Sequence, residues 1–245
     1  MSKLGKRWKE NEEAKKPGIR VLVATPAYDG KVHTDFCVSL AESCMYSAAM
    51  GIHVTAGVMG NGAFIDLARC SFVKMFLEGD YTHLFFIDSD LKFEARGFIG
   101  LILADLPIVA GVYRRRQEPP DYPVKYVEDE RIGLEVVEGF VQCTRVPTGF
   151  LCIRRDVIER MAEKAQKINL PEMSDVPRLF YTYVNDEGRF VGEDFAFCDD
   201  YCKEFGATIP VYADLDFNHA GYQGNWWEHL RKLGDTFEQK GVANG

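Results

Sequence analysis

Short apolar segments alternate with longer amphipathic segments over the first ninety residues. The apolar segments have the length of strands and are rich in Val, Ile, Leu and Phe, as buried strands are. The segments between them have apolar residues at helical spacing and end near glycine. The pattern predicts strands over 19–24, 52–58 and 84–87, separated by helices over 35–50 and 64–77. Strands that alternate with helices form parallel sheets with right-handed crossovers, so we expect an α/β fold.

The pattern is less regular after residue 90. Residues 118–146 combine proline-rich turns with short alternating runs, which favours an antiparallel or mixed region. Residues 170–178 are polar and rich in turn residues, and we interpret them as a mobile loop. The remaining predicted elements are helices over 98–103, 154–165 and 195–205 and strands over 108–113, 150–153 and 209–213.

The chain length of 245 residues is typical of one large domain or two small ones. We expect a flexible N-terminal arm over 1–18, a single domain over 19–228 and a C-terminal helix or tail over 229–245. The 245 residues carry a net charge of −8, which argues against a general nucleic-acid-binding protein, since those need a basic surface. No membrane-spanning run and no signal peptide are recognisable, which indicates a cytoplasmic protein. The seven cysteines are interpreted as free thiols.

Two carboxylates one residue apart end the third predicted strand. Asp88 and Asp90 follow the apolar run 84–87. Residues two apart on a strand point the same way, and ligands of open α/β sheets bind at the carboxyl ends of the strands. Oxygen ligands at this edge suit Mg²⁺ or Mn²⁺ that carries the phosphates of a substrate. The alternative is an ordinary solvated turn.

The loop predicted over 25–30 lies at the carboxyl end of the first strand, where a nucleotide could bind. Tyr28 could stack on a base, and Asp29 could accept hydrogen bonds from a base or a ribose. The alternative is a plain turn between a strand and a helix.

Basic residues offer candidate contacts to phosphate. Asp66 and Arg69 are three residues apart on a predicted helix and share a face, so they could form a structural ion pair. The functional interpretation is that Arg69 faces a diphosphate. The run from Arg114 to Arg116 could clamp a phosphate or be a solvated basic run.

Acidic residues and a histidine lie in the last third of the chain. Glu193 and Asp194 precede a predicted helix, where one acid could cap the helix and the other could act as a general base. His219 follows the last predicted strand among glycines and aromatic residues. It is either structural or a third ligand for a divalent ion, and imidazole tolerates Mn²⁺ better than Mg²⁺.

The ordered set of these segments resembles the GT-A glycosyltransferase superfamily. The resemblance is strongest to family-2-like enzymes and their short phage and giant-virus relatives, and it covers about residues 19–225. It implies a GT-A fold with a mostly parallel mixed sheet flanked by helices, in a viral or bacterial protein. The matching segments are 86–90, 147–155 and 193–198, together with His219 and Gly221.

The resemblance also implies an activity and its site. A sugar would pass from a nucleotide-diphosphate sugar to a hydroxyl of a glycan or a protein, with inversion and with Mn²⁺ or Mg²⁺ on the diphosphate. Asp90 would be the direct metal ligand, Asp88 would reach the ribose or the metal, and His219 would complete the shell. Asp194 would be the base, with Glu193 as the second choice. The residues implied to bind the donor are Thr25, Pro26, Tyr28, Asp29, Asp66, Arg69, Asp88, Ser89 and Gly149.

Two other functions compete with this one. A nucleotidyltransferase that makes a nucleotide sugar could share the sheet and the acids, although residues 25–30 contain only one glycine and no lysine. A non-catalytic sugar-binding module could use an aromatic platform of Phe217, Tyr222, Trp226 and Trp227, which could instead close the core. The helix over 195–205 lacks an arginine that family-2-like enzymes often carry after the acids, which leaves a retaining mechanism open. The sequence gives no indication of the oligomeric state.

Overall fold

Sixteen strands and six helices make up the part of the chain that the computed structural model describes, which is residues 18–60, 64–128 and 134–233. The strands of the first half are β1 (Arg20–Ala27), β2 (His53–Gly60), β3 (His83–Ile87), β4 (Leu91–Lys92), β5 (Ile108–Ala110), β6 (Lys125–Tyr126), β7 (Val136–Val137) and β8 (Phe140–Arg145). Those of the second half are β9 (Phe150–Arg154), β10 (Lys167–Leu170), β11 (Met173–Pro177), β12 (Tyr183–Val184), β13 (Phe190–Val191), β14 (Ile209–Val211), β15 (Asp216–His219) and β16 (Tyr222–Asn225). The helices are α1 (Thr34–Ala49), α2 (Ile65–Glu78), α3 (Ala95–Leu103), α4 (Arg155–Lys164), α5 (Glu193–Phe205) and α6 (226–233).

A nine-stranded mixed sheet forms the centre of the fold. Its order is β2-β1-β3-β9-β5-β14-β8-β6, and β7 also pairs with β8. β1 is parallel to both β2 and β3, which confirms the parallel unit predicted from the first ninety residues. β9 is antiparallel to β3 and β5, and β8 is antiparallel to β14, β6 and β7. Most strands therefore run in the direction of β1, and the predicted α/β class is confirmed.

Helices cover both faces of this sheet because the side chains of its central strands alternate between two cores. On one face, Val21 and Phe85 pack with the buried side of α1 and with α3. On the other face, Leu22 and Phe86 pack with α2, α4 and α5. The three layers share one sheet and form a single domain.

The structure corrects the loop predicted over 170–178 and the end of the strand predicted over 108–113. The mobile loop predicted over 170–178 is mostly the second strand of the β10–β11 hairpin, where Ile168 pairs with Val176 and the Val176 side chain is fully buried. The strand predicted over 108–113 ends at Ala110. At Gly111, a Cβ atom would lie 2.8 Å from the Phe217 ring and 2.9 Å from the Phe150 ring, so the two rings pack closely against the backbone there.

The segment after β14 forms a second small sheet. β15 pairs with β16 and with β4, which directly follows Asp90. Phe217 and Trp226 are buried, so these two members of the predicted aromatic platform belong to the core. Trp227 is 39% exposed.

Three further predictions concern the cysteines, membrane-spanning segments and the two ends of the chain. All seven cysteines are free. Among the described residues, no helix combines the length and the apolar character that crossing a bilayer requires. Residues 1–17 of the predicted arm and residues 234–245 of the predicted tail lie outside the described residues.

Candidate functional site

A cavity of about 710 Å³ opens at the carboxyl ends of β1 and β3. Pro26, Tyr28 and Asp29 line it from the first strand and its loop, and Asp88, Ser89 and Asp90 line it from the end of β3. His219 reaches the same cavity from β15. Parallel pairing of β1 with β3 brings these segments to one edge of the sheet, as the sequence predicts for a ligand site.

Asp90 and His219 form a close pair in this cavity. The Nε2 atom of His219 lies 3.4 Å from Oδ2 of Asp90, and both side chains are largely buried. Nδ1 of His219 lies 2.9 Å from the backbone oxygen of Arg114, which can only accept, so Nδ1 carries a proton and Nε2 faces the carboxylate. Burial alone would lower the pKa of His219, but the hydrogen bonds to Asp90 and to the Arg114 backbone, together with the charges of Asp90 and Asp88, raise it overall. His219 and Arg116 together hold the pKa of Asp90 below its usual value despite burial.

The pair could hold a divalent ion only if a substrate supplied further ligands. The described residues contain no group of three or more His, Cys, Asp or Glu side chains arranged to hold a metal, so the predicted set of Asp88, Asp90 and His219 does not assemble as a closed site. Mg²⁺ and its analogues typically use one or two protein ligands plus phosphates and water. Ligand atoms on adjacent positions of such an ion lie about 3 Å apart, close to the separation of the Asp90 and His219 atoms. The hydrogen bond between Nδ1 and the Arg114 backbone oxygen fixes the orientation of the imidazole, as such bonds do for histidines that bind metals.

Asp88 is held by other protein groups on both of its oxygens. Tyr113 donates a hydrogen bond of 2.6 Å from its hydroxyl to Oδ2, and Nη2 of Arg69 lies 3.3 Å from Oδ1. The backbone N–H of Asp88 donates to the oxygen of Gly149 at 3.0 Å. Both carboxylate oxygens of Asp88 are therefore engaged by protein groups at the cavity wall.

Gly149 allows this arrangement because it has no side chain. A Cβ atom at this position would lie 2.1 Å from both Oδ2 of Asp88 and the hydroxyl of Tyr113. Real side chains never approach so closely, so only glycine lets the tyrosine reach the carboxylate. Gly149 therefore shapes the wall next to Asp88, and its role in donor binding stays a prediction.

Arg69 is a buried cation between two acids. Its side chain is only 3% exposed, and its guanidinium lies 3.3 Å from Asp88 and 3.5 Å from Glu193. The rings of Phe86 and Phe180 lie within 6 Å of it. Asp66, the predicted partner, instead accepts a hydrogen bond from the backbone N–H of Leu67 in the first turn of α2.

Glu193 and Asp194 begin α5 beside this cation. Burial and the neighbouring Glu193 carboxylate raise the pKa of Asp194 to about 6. Asp194 also accepts a hydrogen bond of 2.8 Å from the Phe195 N–H within the first turn. The N-cap of α5 is Gly192 and no side chain caps this end, so the prediction that one acid caps the helix was wrong, and the role of the other as a base stays a prediction. The interaction of Asp194 with Arg69 and Asp88 places the acid pair next to the end of β3.

The residues predicted to bind the donor from the loop after β1 and from the end of β3 differ in how far they are exposed at the cavity. Tyr28 is 79% exposed at the cavity, and Asp29 accepts a hydrogen bond from the N–H of Lys31. Thr25 is fully buried within β1, because β1 continues to Ala27 in register with β2 instead of ending at residue 24. Ser89 lines the cavity, and its backbone oxygen accepts a hydrogen bond from the His33 N–H.

Two residues at the site have roles that sequence reasoning missed. Tyr113 is the last residue of the strand predicted over 108–113, whose carboxyl end lies at the same sheet edge, and this position was the available signal. Within the predicted basic run, only Arg116 contacts the aspartates, at 3.0 Å from Asp90. Arg114 pairs with Glu118 and Arg115 with Asp121, so both are structural.

Comparison with known proteins gives a weak likeness. No protein-family model and no curated protein matches this chain. One similar solved structure is the inositol-1-phosphate CTP transferase from T. maritima, with 11% identity over 82% of this chain and 89% of that chain and a TM-score of 0.42. Another is a putative glucose-1-phosphate thymidylyltransferase from Bacillus anthracis, with 8% identity and a TM-score of 0.36. The match covers 60% of this chain and 76% of that chain. Both are named as nucleotidyltransferases, the alternative activity weighed above, but a likeness this low carries no argument about activity.

Proposed function

We propose that this chain is a metal-dependent glycosyltransferase that uses a nucleotide-diphosphate sugar and a hydroxyl acceptor. One observation carries the proposal: a cavity-lining pair suited to a metal, Asp90 and His219, lies at the same sheet edge as an acid pair whose Asp194 has a pKa of about 6. Glycosyl transfer with inversion needs both features. Negative charge develops on the leaving diphosphate, and a base takes the proton of the acceptor.

The donor fits the cavity between the β1 loop and the end of β3. Tyr28 is exposed for stacking on a base, and Asp29 lines the same wall for the base or ribose. The diphosphate would then lie toward Asp90, His219 and Arg116. A bound Mn²⁺ or Mg²⁺ would neutralise charge there as the leaving group departs.

The acid pair supports the base role. Asp194 would remove the acceptor proton as the hydroxyl oxygen attacks the anomeric carbon and the bond from that carbon to the diphosphate oxygen breaks. Arg69 contacts Glu193 and Asp88, so its positive charge lies between two carboxylates beside Asp194. Asp194 remains the acid whose pKa is raised toward the physiological range.

Nucleotidyl transfer is the second candidate. It could use the same aspartates with a nucleoside triphosphate and a sugar phosphate, and it would release pyrophosphate. Residues 25–30 contain one glycine and no lysine, so they do not provide the glycine-rich phosphate loop that this chemistry favours. We therefore rank glycosyl transfer first.

A panel of nucleotide sugars, tested with Mn²⁺, Mg²⁺ and EDTA, separates the two activities. Metal-dependent release of a nucleoside diphosphate from one donor is the expected result, and it should be lost in Asp90→Ala. Asp216→Ala is the matched control because Asp216 lies on the strand of His219 with a side chain that is 51% exposed. Pyrophosphate release from a triphosphate and a sugar phosphate would establish the second candidate. No response to any nucleotide with either metal would contradict both.

A further inference from the structure

Helix α1 carries its apolar residues on the outside. Its buried positions are Phe36 and three serines at four-residue spacing, Ser39, Ser43 and Ser47. Surface helices normally bury their apolar face and expose polar residues. Here three large apolar side chains of α1 are 51–61% exposed: Val38, Met45 and Tyr46.

Two of these serines are hydrogen-bonded within the fold, whereas the buried hydroxyl of Ser47 has no hydrogen-bond partner among the described residues. The hydroxyl of Ser43 donates to the backbone oxygen of Ser39, and the hydroxyl of Ser39 accepts from the N–H of Phe93. The exposed side of α1 carries few charged residues. Its only charged residues are Asp35 and Glu42, and there is no Lys or Arg between Lys31 and Arg69.

Strand β2 is an unprotected edge next to this helix. It is the first strand of the sheet and pairs on one side only with β1 among the described residues. Its eight residues, His53–Gly60, pair with β1 in continuous register and include no Lys, Asp, Glu or Pro. Native edge strands usually carry such residues, or a bulge, to prevent pairing with another chain. Val58 on this strand is 50% exposed.

The two elements form one surface, which we call the α1–β2 face and define by the exposed side of α1 and the free edge of β2. α1 packs against β2 and, on its inner side, against α3. The helix is about 24 Å long and the strand about 26 Å. The two elements are therefore of similar length and lie side by side.

The chemistry of this face selects a strand-bearing protein as its partner. Only another strand can pair with the free N–H and C=O groups along β2. A membrane-surface helix would carry Lys or Arg beside its apolar face, and α1 has neither. The chain has a net charge of −8, so two copies repel unless they meet on a face with few charges.

We infer that the α1–β2 face is a homodimer interface in which β2 pairs antiparallel with β2 of a second copy about a two-fold axis. An edge strand is self-complementary in this orientation, because the same groups meet on both copies. The pairing continues the central sheet through both molecules and covers Val58 together with the apolar side of α1. The inference does not depend on the proposed enzymatic function.

Sedimentation velocity of the whole chain over a wide concentration range tests this inference. The wild type should be a dimer. Met45→Glu on α1 and Val58→Lys on β2 should each raise the dimer dissociation constant at least about tenfold. Both positions are half exposed or more, so neither substitution buries a charge within the monomer, and circular dichroism should be unchanged. Val184→Glu, at a position that is 65% exposed on β12, is the control for added charge and should remain dimeric.

Three outcomes would overturn the inference. The first is a wild-type protein that stays monomeric at the highest concentration. The second is a dimer that Met45→Glu and Val58→Lys weaken no more than Val184→Glu does. The third is co-sedimentation of the wild type with neutral or anionic vesicles that Met45→Glu abolishes, which would make the face a membrane-binding surface.

Discussion

The Tyr113 hydroxyl and the Asp88 carboxylate are joined by a hydrogen bond of 2.6 Å beside the Cα atom of Gly149. Burial and the proximity of Asp88 raise the pKa of Tyr113 well above its usual value, so the tyrosine stays protonated and donates. Its ring also meets the His219 ring edge-on, with the ring centroids 4.9 Å apart. Tyr113 thus contacts both the fixed aspartate and the histidine of the candidate metal pair.

Tyr113→Phe should reduce kcat/KM of the proposed reaction by about ten- to a hundredfold. The substitution removes only the hydroxyl, and a hydrogen bond to a charged group contributes about 1.5–3 kcal/mol. The ring that packs on His219 is retained, so thermal stability should change little. Steady-state kinetics with the donor found in the nucleotide-sugar panel measure the effect. Tyr201→Phe, at an equally buried tyrosine on α5, should keep wild-type rates. Equal rates for the two variants would show that Tyr113 has no part in positioning Asp88.

Activity should rise with pH through about 6 and then level off. A base works only when deprotonated, and burial with the neighbouring Glu193 raises the pKa of Asp194 to about 6. Asp194→Asn should lower the rate by about 10²- to 10⁴-fold and remove this limb of the profile. The pH dependence of kcat/KM is the measurement, and an unchanged limb in Asp194→Asn would assign it to another group.

Stability provides the control for Asp194→Asn. The folded protein disfavours the carboxylate form of Asp194, so the wild type loses stability as the pH rises from about 4 through about 6. Asparagine has no charge to bury, and its side-chain oxygen can still accept from the Phe195 N–H. The variant should therefore match the wild type in thermal stability at pH 4 and exceed it at pH 8. Lower stability at pH 8 would mean that its inactivity reflects misfolding.

Arg69→Met should move the ascending limb of the pH profile to higher pH. Arg69 lowers the pKa of Asp194, so removing the cation lets burial and Glu193 raise that pKa further. Arg145→Met is the matched control, because Arg145 pairs with Asp199 on the same helix, α5. A limb that shifts equally in both variants, or shifts downward in Arg69→Met, would contradict the assignment of this limb to Asp194.

Elements with a strong local pattern could be predicted from the sequence. β1 and β3 are buried apolar runs, and α2 ends at Gly79 as its pattern predicts. The position of Asp88 and Asp90 at the carboxyl end of β3 follows from that local pattern together with the parallel pairing of β1 and β3.

Contacts between distant segments could not be predicted in this way. The insertion of β9 between β3 and β5 depends on which strands meet in space, and this pairing brings Gly149 to Asp88. Arg69 likewise pairs with Asp88 and Glu193 and not with Asp66, because α2 packs beside the end of β3 and the start of α5. Local spacing carries information on neighbours three or four residues away and none on such partners.

The pairing of β4 with β15 sets the order in which the candidate metal pair can assemble during synthesis. Leu91 pairs with His219, and the N–H of Ala220 donates to the backbone oxygen of Asp90, across almost 130 residues of chain. The ribosome releases the segment with Asp90 early, while the strand that carries His219 emerges only after β14, the last strand of the central sheet. A growing chain can thus bury most of its core before it is able to hold a divalent ion with both residues. Metal binding through this pair, as proposed, would therefore require β15 to have paired with β4 first.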